Sequence, residues 1–340
     1  MDCSRDERAR SSIFSRPTDS VAPMGQVVHR TLSTNGISMH IAEQGEGPLV
    51  ILCHGFPELW YSWRHQLAAL AEAGYHVVAP DMRGYGQTDR PLLIEDYDID
   101  MLTSDLLGLL DALGEERAVF VGHDWGASVV WSLAQRAPER VRGVAGLSVP
   151  FRPRGSHDPI STLEFLFGDN FFYILYFQEP GIADTDLARD VEDSLRRAMR
   201  AFSVDEIEGS KGPLPASGTG WREWTLAPGL LPAWLSSDDL DYYVSEFTRT
   251  GFTGGLNWYR NLRRNWENSA SLAEIKIVVP AVYLIGELDQ VARFMSADKM
   301  DEWVTDLRVK RTIQGAGHWL QQERPDVVNE VLVDFLASLD

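Results

Sequence analysis

The sequence of 340 residues predicts an α/β fold: a mostly parallel sheet flanked by helices, with a helical cap inserted late in the chain. Three observations predict it. Short apolar runs of buried-strand type, such as Leu49–Cys53, alternate with stretches of helical periodicity. The alternation stops near Val149, where Pro150, Pro153 and Pro159 interrupt it. Aromatic-rich helical sequence then runs to residue 258, and the alternation resumes at Val278. Finally, the strand-like run Ala118–Val121 leads into a helix-like stretch, Ala127 to Ala137, through Gly122-His123-Asp124-Trp125-Gly126, where small residues flank a single carboxylate.

Taken in order, Val27–Leu32 and Ile37–Ala42 read as strands around Ser33-Thr34-Asn35-Gly36, whose Asn-Gly pair signals a hairpin. Leu49–Cys53 follows and ends in His54-Gly55-Phe56-Pro57. Trp60 to Ala73 is helix-like, and Val77–Ala79 is a strand ending at Pro80-Asp81. Met101 to Leu113 has helical spacing, with Thr103 and Ser104 available as caps. After the Asp124 turn, Val141–Leu147 is the next strand. Inside the insertion, Gly212-Pro213-Leu214-Pro215 and the segment from Ser217 to Gly220 read as loops. The core resumes with Val278–Ile285, Met295–Trp303, Leu307–Ile313 and Pro325–Leu339. The expected organisation is a flexible tail over residues 1–23, a first core part over 24–150, a helical cap over 151–258 and a second core part over 259–340.

Hydrophobic residues make up 44% of the chain, enough for a substantial core. The 31 basic and 50 acidic residues give a formal net charge of −19, a field that repels polyanions. Nucleic acid is therefore not an expected partner, and an uncharged or cationic small molecule is easier to accept. Two cysteines, Cys3 in the polar tail and Cys53 beside a core motif, do not make a disulfide scaffold. Residues 1–23 contain no apolar stretch of signal-peptide type, and no run of about 18 apolar residues occurs. The expectation is a cytoplasmic protein without membrane insertion.

The spacing around Asp124 is that of a nucleophile elbow, a strained strand-to-helix turn that lifts one side chain above a sheet. Small neighbours are needed because the turn brings two backbones together around a residue in an unfavourable conformation. An aspartate that attacks a saturated carbon forms an ester, which water can cleave. A serine would form an ether, which water cannot readily cleave. Asp124 therefore points to opening of a C–O or C–halogen bond at saturated carbon. Such an ester needs a base to activate water and a group to orient the base. The base candidate is His318, in Gly315-Ala316-Gly317-His318-Trp319 after the last predicted strand. The orienting candidate is Asp289, in Gly286-Glu287-Leu288-Asp289, just beyond Val282–Ile285. Alone, each is an ordinary loop residue. Together their chain order is that of the α/β-hydrolase fold, and all three fall at the carboxyl ends of strands, where open α/β sheets bind ligands. The backbone N–H groups of Trp125 and Phe56 are the expected oxyanion donors. The aromatic segment from Phe171 to Gly181 and the group Asn257-Trp258-Tyr259-Arg260-Asn261 read first as packing between cap and core. An epoxide, however, leaves as an alkoxide, and a tyrosine of ordinary pKa about 10 is a suitable acid for it.

Six motifs now combine: His54-Gly55-Phe56-Pro57, Arg83-Gly84-Tyr85-Gly86, Gly122-His123-Asp124-Trp125-Gly126, Tyr176-Phe177-Gln178-Glu179-Pro180-Gly181, Asn257-Trp258-Tyr259-Arg260-Asn261 and Gly317-His318-Trp319. The combination resembles the epoxide hydrolases of the α/β-hydrolase fold, most closely the soluble-type branch, from about residue 26 to the C-terminus. The resemblance implies that Asp124 is the nucleophile, His318 the base and Asp289 its partner. It also implies that Tyr173 and Tyr259 are cap tyrosines that hold and protonate the epoxide oxygen. Tyr173 is selected over Tyr176 because the active tyrosine of the family stands three residues upstream of the Tyr-Phe-Gln-Glu-Pro-Gly tyrosine. Pro57, Phe172, Trp125 and Trp319 are expected to line the substrate, and the Phe56–Pro57 bond is expected to be cis. Thr88 departs conservatively from the serine often found after Arg-Gly-Tyr-Gly-x. The implied substrate is a small-molecule epoxide, apolar or aryl, turned over without metal or organic cofactor by a monomer or homodimer. A haloalkane dehalogenase shares the Asp-Trp elbow and the Gly-His-Trp loop, but its halide needs N–H donors rather than an acid, so the tyrosine pair favours the epoxide. A non-catalytic ligand-binding protein on the same scaffold would be expected to lose a member of the triad, and Asp124, Asp289 and His318 are all present.

Overall fold

The computed structural model describes residues 25–203, 216, 218–225 and 229–339. Among them, eight strands form one sheet: β1 (Val28–Thr34), β2 (Ile37–Gln44), β3 (Leu49–Cys53), β4 (His76–Pro80), β5 (Ala118–His123), β6 (Val141–Leu147), β7 (Ala281–Gly286) and β8 (Leu307–Ile313). Their order is β1-β2-β4-β3-β5-β6-β7-β8. β1 and β2 pair antiparallel, as do β2 and β4, and every other neighbouring pair is parallel. The β1–β2 hairpin closes on Asn35 and Gly36, both at positive φ (43° and 77°), as a two-residue turn matched to strand twist requires.

The central strands are buried on both faces, which is why they read as unbroken apolar runs. Alternate residues serve two different layers. Ile51 and Phe120 join a cluster with Leu106 and Val130, whereas Val50 and Val121 join one with Leu67 and Leu332. The first layer contains α2 (Ile99–Leu113) and α3 (Trp125–Arg136). The second contains α1 (Arg64–Glu72) and the C-terminal helix Pro325–Ala337, which pack on each other.

Between β6 and β7 the described chain is helical: α4 (Pro159–Phe167), α5 (Tyr173–Tyr176), α6 (Ile182–Ala188), α7 (Val191–Ala201), α8 (Trp221–Trp224), α9 (Ser237–Thr250), α10 (Thr253–Arg260) and α11 (Leu262–Asn268). Local sequence starts several of these helices. Asp158 caps α4 with Pro159 at its first position, and Ser236 with Asp239 forms a capping box for α9. Polar contacts dock the insertion on the sheet. Trp258 Nε1 donates to Arg83 O at 3.1 Å, Trp60 Nε1 donates to Tyr242 Oη at 2.7 Å, and Trp319 Nε1 donates to Met199 O at 2.9 Å.

Several sequence expectations are corrected. Thr103 and Ser104 do not cap α2. It starts two residues before Met101, capped by Asp98, whose carboxylate accepts from Met101 N, while Thr103 Oγ1 donates back to Ile99 O. The strand expected from Val278 begins at Ala281, because Pro280 has no N–H for the ladder and Val278 faces solvent. Of Met295–Trp303 only Met300–Trp303 is helical; Ser296 Oγ accepts from Asp298 N and holds a turn there instead. Trp60–Trp63 is a tight 3-10 turn that precedes α1. Cys3, the expected tail over 1–23 and the expected loop at 212–215 lie outside the described residues. No helix among the described residues is long and apolar enough to cross a membrane.

A Cβ added at Gly126 would lie 2.0 Å from the Cys53 carbonyl oxygen, a backbone atom of β3 that cannot swing away. Gly126→Ala is therefore expected to destabilise the fold by about 1–3 kcal/mol or more, the usual scale of overpacking. Urea unfolding would show a lower midpoint with an unchanged slope. An unchanged midpoint would contradict the close β3–α3 approach.

Candidate active site

Asp124 follows β5 directly and takes φ 52°, ψ −120°, a conformation that a non-glycine residue holds only under constraint. Its own carbonyl accepts from Ala127 N and Ser128 N at the start of α3. Its carboxylate rests against the turn after β3: Phe56 N donates to Oδ1 at 2.9 Å, and a Cβ at Gly55 would fall 2.4 Å from that same oxygen. Trp125 is the first residue of α3, where a backbone N–H has no acceptor within the helix. The Phe56–Pro57 peptide bond is cis.

His318, in the loop after β8, brings Nε2 to 3.6 Å from Asp124 Oδ2. Its Nδ1 lies 3.2 and 3.3 Å from the two carboxylate oxygens of Asp289, which follows β7. A carboxylate can only accept, so Nδ1 carries the proton. Asp289 is held in turn by Val291 N at 2.9 Å. The sequence reading passed over Ser148, which directly follows β6 at φ 70° and places Oγ 2.9 Å from His318 Nδ1. Ser148 also hydrogen-bonds to Asp289. Its position at a strand's carboxyl end was the one signal available.

Burial alone would raise the Asp289 pKa, but the His318 charge and these hydrogen bonds hold it below the ordinary carboxylate value. Burial alone would lower His318. The Asp289 charge and then the Asp124 carboxylate outweigh it and push His318 up to about 10. Behind this pair lies a second ionic cluster, also absent from the sequence reading. Glu58 Oε2 accepts from Gly55 N at 2.9 Å and lies 2.6 Å from His123 Nδ1, while its Oε1 accepts from Gln321 Nε2 at 2.9 Å. His123 Nε2 lies 2.7 Å from the His318 carbonyl. Burial opposes ionisation of Glu58, yet His123 wins and draws its pKa down to about 2. This cluster joins the loop after β3, the elbow and the His318 loop.

Two phenols face Asp124 from the insertion. Tyr173 opens α5 and Tyr259 lies in α10, with ring centroids 6.1 Å apart. Burial and then the Asp124 charge push both hydroxyls above the ordinary tyrosine value. Tyr176 points elsewhere and donates to Asp186 at 2.7 Å. Asp124, Tyr173 and Tyr259 line a cavity of about 300 Å³ together with Trp125, Trp131 and Phe294. The same three also line a second cavity of about 20 Å³, which includes Pro57, His318 and Trp319. Phe172 is among the lining residues of neither; its ring stacks on Phe167 at 4.0 Å.

Comparison with known proteins agrees with this architecture. The alpha/beta hydrolase fold family matches residues 48–325. Epoxide hydrolase A of Mycobacterium tuberculosis is 51% identical over 320 residues, covering 93% of this chain and 99% of that protein. Epoxide hydrolase 2 of Siraitia grosvenorii is 40% identical over 323 residues, covering 93% and 100%. Among solved structures, epoxide hydrolase A from Mycobacterium thermoresistibile superposes with a TM-score of 0.88 at 50% identity, over 93% of this chain and 99% of that one.

His318 has a folded pKa above its ordinary 6.5, so its charged form contributes stability that is complete below 6.5 and is lost as pH rises through about 10. The melting temperature of the wild type, relative to His318→Gln, is expected to fall between pH 7 and pH 10. A difference that stays constant across this window would contradict the paired imidazolium.

Proposed function

The chain belongs to the epoxide hydrolases of the α/β-hydrolase fold, and from that premise we propose that it adds water to a small-molecule epoxide through an ester on Asp124. It is a hydrolase acting on epoxide ether bonds. The observation that carries the covalent route is the convergence of one carboxylate, one carboxylate-paired histidine and two buried phenols on a shared cavity.

In this proposal the helices of residues 151–258, together with α10, act as a cap that supplies the phenols. Asp124 Oδ1 is already engaged by Phe56 N–H, which leaves Oδ2 to attack an epoxide carbon. As that C–O bond breaks, Tyr173 and Tyr259 hold the leaving oxygen and one of them gives it a proton. Their raised pKa values keep both phenols protonated until an alkoxide, a much stronger base, is formed.

Ester formation removes the Asp124 charge. Half of the carboxylate pair that stabilises the His318 cation is then gone, its proton affinity falls, its proton passes to the phenolate left by the first step, and the neutral ring can accept a proton from water. Water attacks Cγ of Asp124, and the negative charge that develops on Oδ1 meets the Phe56 N–H already in place, with Trp125 N–H as second donor. Asp289 and Ser148 hold the ring orientation throughout. Collapse breaks the bond from Cγ to the diol oxygen, which takes the proton held by His318; the Asp124 acid then ionises and returns a proton to His318, and the vicinal diol leaves. The chemistry calls for no metal or organic cofactor. Trp125, Trp131, Ile174, Leu262 and Phe294 on the larger cavity favour an apolar or aryl substituent.

His318→Gln mixed with styrene oxide is expected to accumulate the ester. Digestion and mass spectrometry should place one epoxide mass on the peptide carrying Asp124, and Asp124→Ala should show none. An adduct on another residue would overturn the assignment. Tyr173→Phe and Tyr259→Phe are each expected to slow turnover by about 10²-fold or more, the scale of a lost general acid. Undiminished rates in both would remove the phenols from the mechanism.

A further inference from the structure

We propose that Gln178 and Arg260 are positioning residues for the acid pair: they clasp the two tyrosine-bearing segments to each other and hold Tyr173 and Tyr259 at the separation at which both phenols reach one epoxide oxygen. This rests on the reaction proposed above and adds the groups that set its geometry. Neither residue is among those lining the two cavities, so neither acts by touching the substrate. Both stand in the aromatic motifs of the sequence, Tyr176-Phe177-Gln178-Glu179-Pro180-Gly181 and Asn257-Trp258-Tyr259-Arg260-Asn261.

The clasp is reciprocal, each motif reaching for the backbone of the other. Gln178 donates from Nε2 to Ile174 O at 2.8 Å and to Tyr259 O at 3.1 Å. A carboxamide nitrogen has two hydrogens, and here both meet carbonyls that can only accept. Arg260, next to Tyr259, donates from Nε to Phe177 O at 3.1 Å. These carbonyls lie in or just after the last turn of α5 and α10, where backbone acceptors run short of helical donors.

The two phenols differ in how firmly their own helices are held. α10 is anchored to the core, where Trp258 Nε1 donates to Arg83 O and Asn261 Nδ2 donates to Ile94 O at 2.6 Å. α5 is a single turn, too short to keep its conformation unaided, so Tyr173 goes where its backbone is gripped. The rings of Phe177 and Trp224 pack on Tyr173, but apolar contacts are non-directional and tolerate sliding, whereas hydrogen bonds fix a direction. Arg260 is itself immobile: its side chain is buried, Nη1 donates to Asn257 Oδ1 at 2.9 Å, and Nη2 donates to Asp184 in the first turn of α6. The clasp thus passes the position of the anchored helix to Tyr173. The two rings stand 6.1 Å apart at 79°, and a misplacement of about 1 Å in such an arrangement can cost about 10²-fold in rate.

Rapid-quench mass spectrometry of the Asp124 peptide, during a single turnover of styrene oxide by the full chain, reads the two half-reactions separately. Gln178→Met keeps the length of the side chain and removes both donors. It is expected to slow ester formation about tenfold or more while changing ester hydrolysis by about twofold at most, since hydrolysis uses His318 and the oxyanion donors. In Tyr173→Phe no second phenol remains to be aligned, and adding Gln178→Met is expected to slow ester formation by about threefold at most. If Gln178→Met does not fold, Gln178→Asn, one methylene shorter, takes its place in both comparisons. Unchanged ester formation in a folded Gln178 variant would overturn the inference and leave the hydrolytic reaction standing. An equal slowing of both steps, or the full loss in the Tyr173→Phe background, would do the same. Failure of His318→Gln to form any ester on Asp124 would overturn the proposed reaction itself, and the inference with it.

Discussion

Asp124 keeps a positive-φ backbone because three parts of the chain close on it at distances that leave no room for relaxation. β5 delivers it, α3 takes its carbonyl as the first helical acceptor, and the turn after β3 lays Phe56 N–H on its carboxylate. A conformation of this kind costs about 1–3 kcal/mol and persists only where its surroundings over-determine it. Here the surroundings are the glycines. Gly122, Gly126 and Gly55 each stand where a Cβ would meet a neighbouring group at 2.0–2.4 Å. The backbone contacts that strain Asp124 also aim its side chain at the cavities it lines with Tyr173 and Tyr259.

The electrostatics depend on the same closure. Asp124, Asp289 and Glu58 are three carboxylates in a small buried volume, and unpaired charges there would be prohibitively expensive. Each is matched by donors: Phe56 N–H for Asp124, His318 with Ser148 for Asp289, and His123 with Gly55 N–H for Glu58. Because Glu58 holds the Gly55 turn while His123 holds the His318 carbonyl, the turn after β3 and the His318 loop are both tied to the elbow. In the proposed cycle esterification removes the Asp124 charge, and the protonation of His318 responds to it.

The sheet was legible in the sequence because strands buried on both faces must be apolar throughout; β3, β6 and β8 match their expected bounds to the residue. The chain order of Asp124, Asp289 and His318 was legible because each follows a strand on one edge of the sheet. What was hidden has physical causes. Asp98 caps α2 from outside the apolar pattern, so periodicity alone placed the start too late. Ser148 and Glu58 matter through contacts spanning 170 residues and 65 residues of chain, to His318 and His123, and no local spacing reports these. The resemblance places Phe172 on the substrate. It instead stacks on Phe167, and its neighbour Tyr173 turns inward.

The covalent role of Asp124 is tested most directly by a single turnover with enzyme in excess over styrene oxide in heavy-oxygen water. The account predicts that the first diol formed carries ordinary oxygen from Asp124 and that the heavy label appears in the Asp124 carboxylate. A first-turnover diol that carries the heavy oxygen, with Asp124 unlabelled, would mean that water attacks the epoxide directly and would contradict the account.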